Sequence, residues 1–185
     1  MTELIFREDA YAAEISAKVL AASAEAIITD RTNFYAQAGG QPGDTGVLRW
    51  AGGEARIANT TKGPEDSVLH VPEAGAALPE VGAAVTFRLD WPRRYRLMRT
   101  HTALHVLCGM IYRDYGALVT GGNMDVDKMR MDFEIADFTP ELVAELEGTG
   151  AAVVAVEGAS SLHRPEASPS LVDAAMARFG RIDAA

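Results

Sequence analysis

Residues 84–115, AVTFRLDWPRRYRLMRTHTALHVLCGMIYRDY, hold the change of pattern on which the fold turns. Ala84 to Leu89 alternates apolar and polar with the period of a half-buried strand. The character changes at Trp91-Pro92. From Arg94 to Tyr115 there is no proline and one glycine, Gly109, while Leu97, Leu104, Cys108 and Ile111 recur at three- and four-residue intervals. That spacing predicts a helix, which Gly116 ends. Upstream, Ala26–Ile28, Gly46–Trp50 and Ser67–Val71 read as short strands, and Gly52-Gly53 has hairpin spacing between Leu48–Trp50 and Glu54–Ile57. Short strands punctuated by glycine and proline predict a small barrel or sandwich.

Downstream of the helix, Val119 to Phe133 is read as a Gly121-Gly122 turn followed by a strand over Lys128–Phe133. Thr139-Pro140-Glu141 has the cap, proline and acid of a helix start. The last 38 residues differ in flavour, with ten alanines, a linker-like Pro165–Ser170 and a final helix over residues 171–181. The expected fold class is α+β, in three parts: 1–90, 91–147 and 148–185.

At 185 residues, 48% hydrophobic and 23% charged, the composition is that of a folded globule and not of a disordered chain. The one cysteine, Cys108, excludes an internal disulfide, and the opening MTELIFREDAYAAEI places charges where a signal peptide needs an apolar stretch. A cytoplasmic protein is expected. Every apolar run is far shorter than the roughly 18 residues of a membrane helix, so no membrane partner is expected.

The net charge of -9 argues against nonspecific coating of nucleic acid, but its distribution is uneven. Residues 91–113 carry Arg93, Arg94, Arg96, Arg99 and Arg113 and no acid, while the flanking segments are acidic. Such a patch can hold a phosphate backbone; its arginines can equally pair with acids from elsewhere in the chain.

His101 and His105 lie one helical turn apart on one face, a spacing that can bring two ring nitrogens to one Zn²⁺. It also fits two hydrogen-bonded histidines on a partly buried face. Cys108 lies about 10.5 Å along the axis from His101, too far for a short thiolate to join that pair. The second feature is Asn33–Gly46, NFYAQAGGQPGDTG, with four glycines in eight residues that let the backbone approach a ligand or make a tight connection between strands. It lacks the Gly-Lys-Ser/Thr ending of a phosphate-binding P-loop.

Taken together, FYAQAGGQPGDTGVL, VGAAVTFRLDWPRRYRLMRTHTALHVL and GGNMDVDKMRMDFEI resemble the editing domain of alanyl-tRNA synthetase and its freestanding relatives, the AlaX-type trans-editing proteins. The resemblance covers residues 1–147. It implies a glycine-rich N-terminal β-barrel followed by an α/β editing core of the threonyl/alanyl-tRNA synthetase type, holding one zinc ion. It further implies hydrolysis, in trans, of tRNA(Ala) mischarged with serine or glycine.

Carried over by position, His101 and His105 match the family's first zinc pair, and Gly39, Gly40, Gln41 and Asp44 its glycine-rich motif. Ala38 stands where a third glycine is usual. The family's other two ligands come from a downstream Cys-x-x-x-His, and no cysteine follows Cys108; His163 has Ala159 four residues before it. The expectation is therefore an editing core lacking its C-terminal part and impaired in activity, its tail having replaced the rest. A noncatalytic tRNA-binding module and an inactive fragment are the alternatives. Arg93 and Arg94 are the residues expected to hold acceptor-stem phosphates, and Thr102 is the candidate partner for a serine hydroxyl. No residue is singled out as catalytic.

Overall fold

A computed structural model describes residues 1–126 and 129–135, with the isolated positions 139, 141 and 144. The expected helix after Pro140, apart from two of those positions, and the whole of 148–185 lie outside the described residues. The chain falls into two compact units, 1–107 with 122–131, and 108–121 with 132–185.

The described strands are β1 (Glu3–Leu4), β2 (Glu14–Ala22), β3 (Ile27–Thr29), β4 (Arg31–Thr32), β5 (Gly46–Trp50), β6 (Gly53–Lys62), β7 (Val68–Pro72), β8 (Ala84–Leu89), β9 (Leu118–Met124) and β10 (Met129–Glu134). Six of them close into a barrel in the order β2, β3, β7, β6, β5, β8, each pair antiparallel. Closure removes the exposed edges an open sheet would carry. Alternation decides what faces in: Val85, Phe87 and Leu89 of β8 are buried, with Thr86 and Arg88 between them outside. With Val19, Ile27, Phe34, Leu48 and Ile57 they form one core cluster. Each large side chain so buried contributes about 1.5–3 kcal/mol.

The expected hairpin is present: Trp50 pairs with Gly53 across a two-residue connection. β2 has no counterpart in the sequence reading. Its alanines and Lys18 have little intrinsic preference for a strand; pairing with β3 on one side and β8 on the other makes it one.

The barrel buries polar residues as well, Thr29, Thr32, Thr60 and His70 among them. His70 is completely buried beside Phe34 and Phe87. Its Nδ1–H donates to the Ile27 carbonyl at 2.9 Å, so Nε2 accepts from the Thr32 hydroxyl at 2.8 Å. Burial pushes its pKa down to about 4, keeping the ring neutral.

The helix α1 spans Trp91–Tyr115, three residues longer at its start than the proline-free run. Asp90 caps it through its carboxylate, which accepts from the Arg93 N–H at 3.2 Å, and Pro92 sits in the first turn, where its missing N–H is harmless. At the other end Gly116 takes φ +64° and donates to the Tyr112 carbonyl at 2.8 Å, the left-handed stop that favours glycine. Leu97 and Leu104 pack with Met124 in a second, smaller core.

The Gly121-Gly122 turn is not observed: both glycines lie inside β9, which pairs with β10. They serve close packing instead. A Cβ on Gly122 would come within 2.8 Å of the Met131 sulfur, and its own carbonyl lies 2.3 Å from where a Cβ of Gly40 would stand. In the second unit, the described residues are the end of α1 from Cys108, the connection at 116–117, the first part of β9 through Gly121, the end of β10 from Asp132 to Glu134, Ile135, and positions 139, 141 and 144.

Candidate functional site

The glycine-rich segment leaves β4 and crosses to β5, and a buried carboxylate organises it. Asp44 accepts the Tyr35 N–H at 2.6 Å and the Arg94 Nε–H at 2.9 and 3.0 Å. The Thr60 hydroxyl donates to the Asp44 carbonyl at 2.9 Å. Gly43 lies flat on β6, where a Cβ would meet the Thr60 carbonyl at 2.0 Å.

From this anchor the tip turns back on itself. Ala38 and Gln41 exchange both backbone hydrogen bonds, at 3.2 and 2.9 Å, across Gly39 and Gly40, whose φ values of +58° and +77° demand glycine. Ala38 precedes the two left-handed positions, so its departure from the family pattern costs the turn nothing. The Met124 N–H donates to the Gly40 carbonyl at 2.9 Å and holds the tip against β9.

The turn carries Gln41 to the histidine pair. The His101 Nδ1–H donates to Gln41 Oε1 at 2.9 Å, which leaves the lone pair of His101 on Nε2. That nitrogen lies 3.0 Å from Nε2 of His105, and the two rings stack 4.9 Å apart with 12° between planes. Both rings are solvent-exposed. The sequence did not show that Gln41 and His101, sixty positions apart, are hydrogen-bonded partners; the glycines before Gln41 were the available signal.

The pair meets part of the requirement for zinc. Two imidazole nitrogens at 2.0–2.1 Å from a tetrahedral ion lie about 3.3 Å apart, close to the separation here. A carbonyl oxygen on the far ring nitrogen is the partner that usually orients a metal-binding histidine. Among the described residues, however, no group of three or more His, Cys, Asp or Glu is placed to hold a metal. Two donors fit and a complete set is not found there.

The arginines divide. Arg94, a phosphate-binding candidate in the sequence, is buried, and its guanidinium is committed to Asp44, to the Asn33 carbonyl at 2.8 Å and to the Ala10 carbonyl at 3.3 Å. Its part, like that of Asp44, is to hold the loop against α1. Arg93 is half-buried and donates to the Gly43 carbonyl at 2.9 Å; Arg96 and Arg99 are exposed, and Arg113 pairs with Asp114. The Thr102 hydroxyl donates back to the Met98 carbonyl at 3.0 Å. Cys108 is half-buried and unpaired with any other sulfur. Among the described residues no helix is long and apolar enough to cross a membrane.

Barrel, glycine-rich loop and helix start belong to a synthetase-related class: the family model of tRNA synthetases class II (A) matches residues 5–93. The chain is 35% identical to the alanyl-tRNA editing protein AlaX-M of Saccharolobus solfataricus, over 78% of this chain and 62% of that protein. It is 36% identical to the AlaX-M of Methanosarcina mazei, over 88% of this chain and 67% of that protein. An alanine–tRNA ligase of Pyrobaculum arsenaticum is 40% identical over 79% of this chain but only 16% of its own length. The chain belongs to the AlaX-type family of alanyl-tRNA editing proteins. It spans between three fifths and two thirds of the first two relatives. The Methanosarcina match covers more of the chain than residues 1–147 provide, so the likeness reaches beyond Glu147.

Proposed function

We propose that this chain edits tRNA(Ala), hydrolysing the ester that joins a wrongly attached serine or glycine to the terminal ribose. The carrying observation is the convergence of Gln41, His101 and His105 in a chain whose relatives are named alanyl-tRNA editing proteins. In this reading the barrel is followed, from α1 onward, by the beginning of an α/β editing core.

His101 and His105 would hold a Zn²⁺ through their Nε2 atoms. Bound there, zinc supplies Lewis acidity toward the ester carbonyl or toward a water. Gln41 fixes the His101 tautomer and ring orientation, so the nitrogen offered to the site is the unprotonated one. Arg93 and Arg99 neutralise phosphates and keep the acyl end near the histidines. Thr102 donates within the helix, and its oxygen retains lone pairs that can accept from a serine hydroxyl, the kind of contact that separates serine from alanine.

The test is zinc content of the purified full chain, measured alongside deacylation of seryl- and glycyl-tRNA(Ala). One zinc per chain with turnover that is lost in His101→Ala supports the proposal; turnover unaffected by that change overturns it. A noncatalytic tRNA-binding module is the second reading, favoured by the absence of a third metal donor among the described residues. RNA binding with neither zinc nor turnover would establish it.

A further inference from the structure

Away from the histidines, three rings form a row at the start of α1. Trp91 and Tyr95 stand one helical turn apart, with ring centroids 6.0 Å apart and planes within 29° of parallel. Tyr11, from the turn before β2, extends the row, its ring 5.7 Å from that of Trp91 and tilted by 50°. Tyr11 is 64% exposed and Tyr95 44% exposed, and none of the three belongs to a core cluster. The half-buried Trp91 lies between two exposed tyrosine rings that lean on it.

Arg99 continues the same helix face one turn beyond Tyr95, exposed and without an ion pair among the described residues. Of the five arginines in 91–113, Arg94 and Arg113 are spent on Asp44 and Asp114, while Arg99 stands exposed in a stretch that carries no acid of its own. Charge therefore selects an anionic partner, and the rings select one that offers flat apolar faces. An RNA single strand has both, because its unstacked bases are open to aromatic side chains while its phosphates seek guanidinium groups. A duplex hides those base faces in its own stack.

We infer that Tyr11, Trp91, Tyr95 and Arg99 form a stacking strip for unpaired nucleotides. The inference rests on the proposed RNA partnership and adds which part of the RNA this face grips. The rings supply contact insensitive to salt, and Arg99 supplies the salt-sensitive share.

The test titrates the full chain against a labelled single-stranded RNA and a blunt RNA duplex of equal length, by anisotropy over a series of salt concentrations. Tyr95→Ala is expected to weaken single-strand binding roughly tenfold, about 1.4 kcal/mol, without changing the salt slope. Tyr95→Phe should restore the affinity, since only the ring is required. Arg99→Ala should lower the slope by about 0.7. Single-strand affinity unchanged in Tyr95→Ala, equal weakening toward the duplex, or no binding of either RNA by the parent chain would each overturn the strip. The editing proposal fails separately: a chain that loses single-strand affinity in Tyr95→Ala yet never deacylates seryl-tRNA(Ala) keeps the strip and loses the reaction.

Discussion

Replacing Arg94 by methionine would leave the Asp44 carboxylate buried with its cation gone and the Tyr35 N–H as its remaining side-chain-directed donor. An ion pair broken from one side in such a setting typically costs about 3–5 kcal/mol. Urea denaturation of Arg94→Met should show that loss. Arg93→Ala, one residue away on a half-buried position, should change stability by less than about 1 kcal/mol and instead flatten the salt dependence of tRNA binding.

His70 makes a prediction of opposite chemistry. Its folded pKa is about 4 against 6.5 for the free group, so the unfolded chain takes up the proton first as pH falls. The neutral ring's contribution is complete above pH 6.5, declines as pH falls below it, and levels off near pH 4, a total of about 3 kcal/mol. Stability measured at pH 7 and pH 4.5 should differ more in the parent chain than in His70→Gln; equal differences would remove His70 as the cause.

Among the elements, the loop between β4 and β5 does the most with the fewest side chains. Gly39 and Gly40 share a left-handed backbone but not surroundings: a Cβ on Gly39 meets nothing within 4 Å, whereas one on Gly40 would strike the Gly122 carbonyl. Gly39→Ala should therefore cost only the conformational penalty, about 1–2 kcal/mol. Gly40→Ala must also push the tip off β9, which moves Gln41 away from His101. Thermal melts should rank Gly40→Ala below Gly39→Ala, and deacylation should fall further in Gly40→Ala than its stability loss accounts for. α1 shows the same economy, with Asp90 opening it and Gly116 closing it, so that the histidine pair falls about three and four turns beyond the barrel.

Across the molecule, stability and the site rest on different residues. The barrel core and the small cluster around Leu97 contain neither His101 nor His105, and both imidazoles are exposed. A metal held by two such donors binds loosely and adds little to folding, because ligand stabilisation grows only with the logarithm of concentration over Kd. For the proposed two-histidine zinc site, chelator treatment should accordingly strip the metal while leaving the melting temperature unchanged. A large drop in melting temperature would mean that further ligands complete the site.

Local patterns carried much of this. Alternation over 84–89, the short strand at 46–50, the helical spacing to Tyr115 and its glycine stop were legible because strand and helix signals are properties of neighbouring residues. So was the i, i+4 relation of His101 and His105. The nine residues of β2, the run of β9 through two glycines and the burial of Arg94 were not, since each depends on what a distant segment places beside it. Gln41 meets His101, and Asp44 meets Arg94, only after the barrel closes and sets its loop against α1. Periodicity fixes which way a side chain points along its own element; only packing of one element on another decides whether an arginine faces a phosphate or a buried carboxylate.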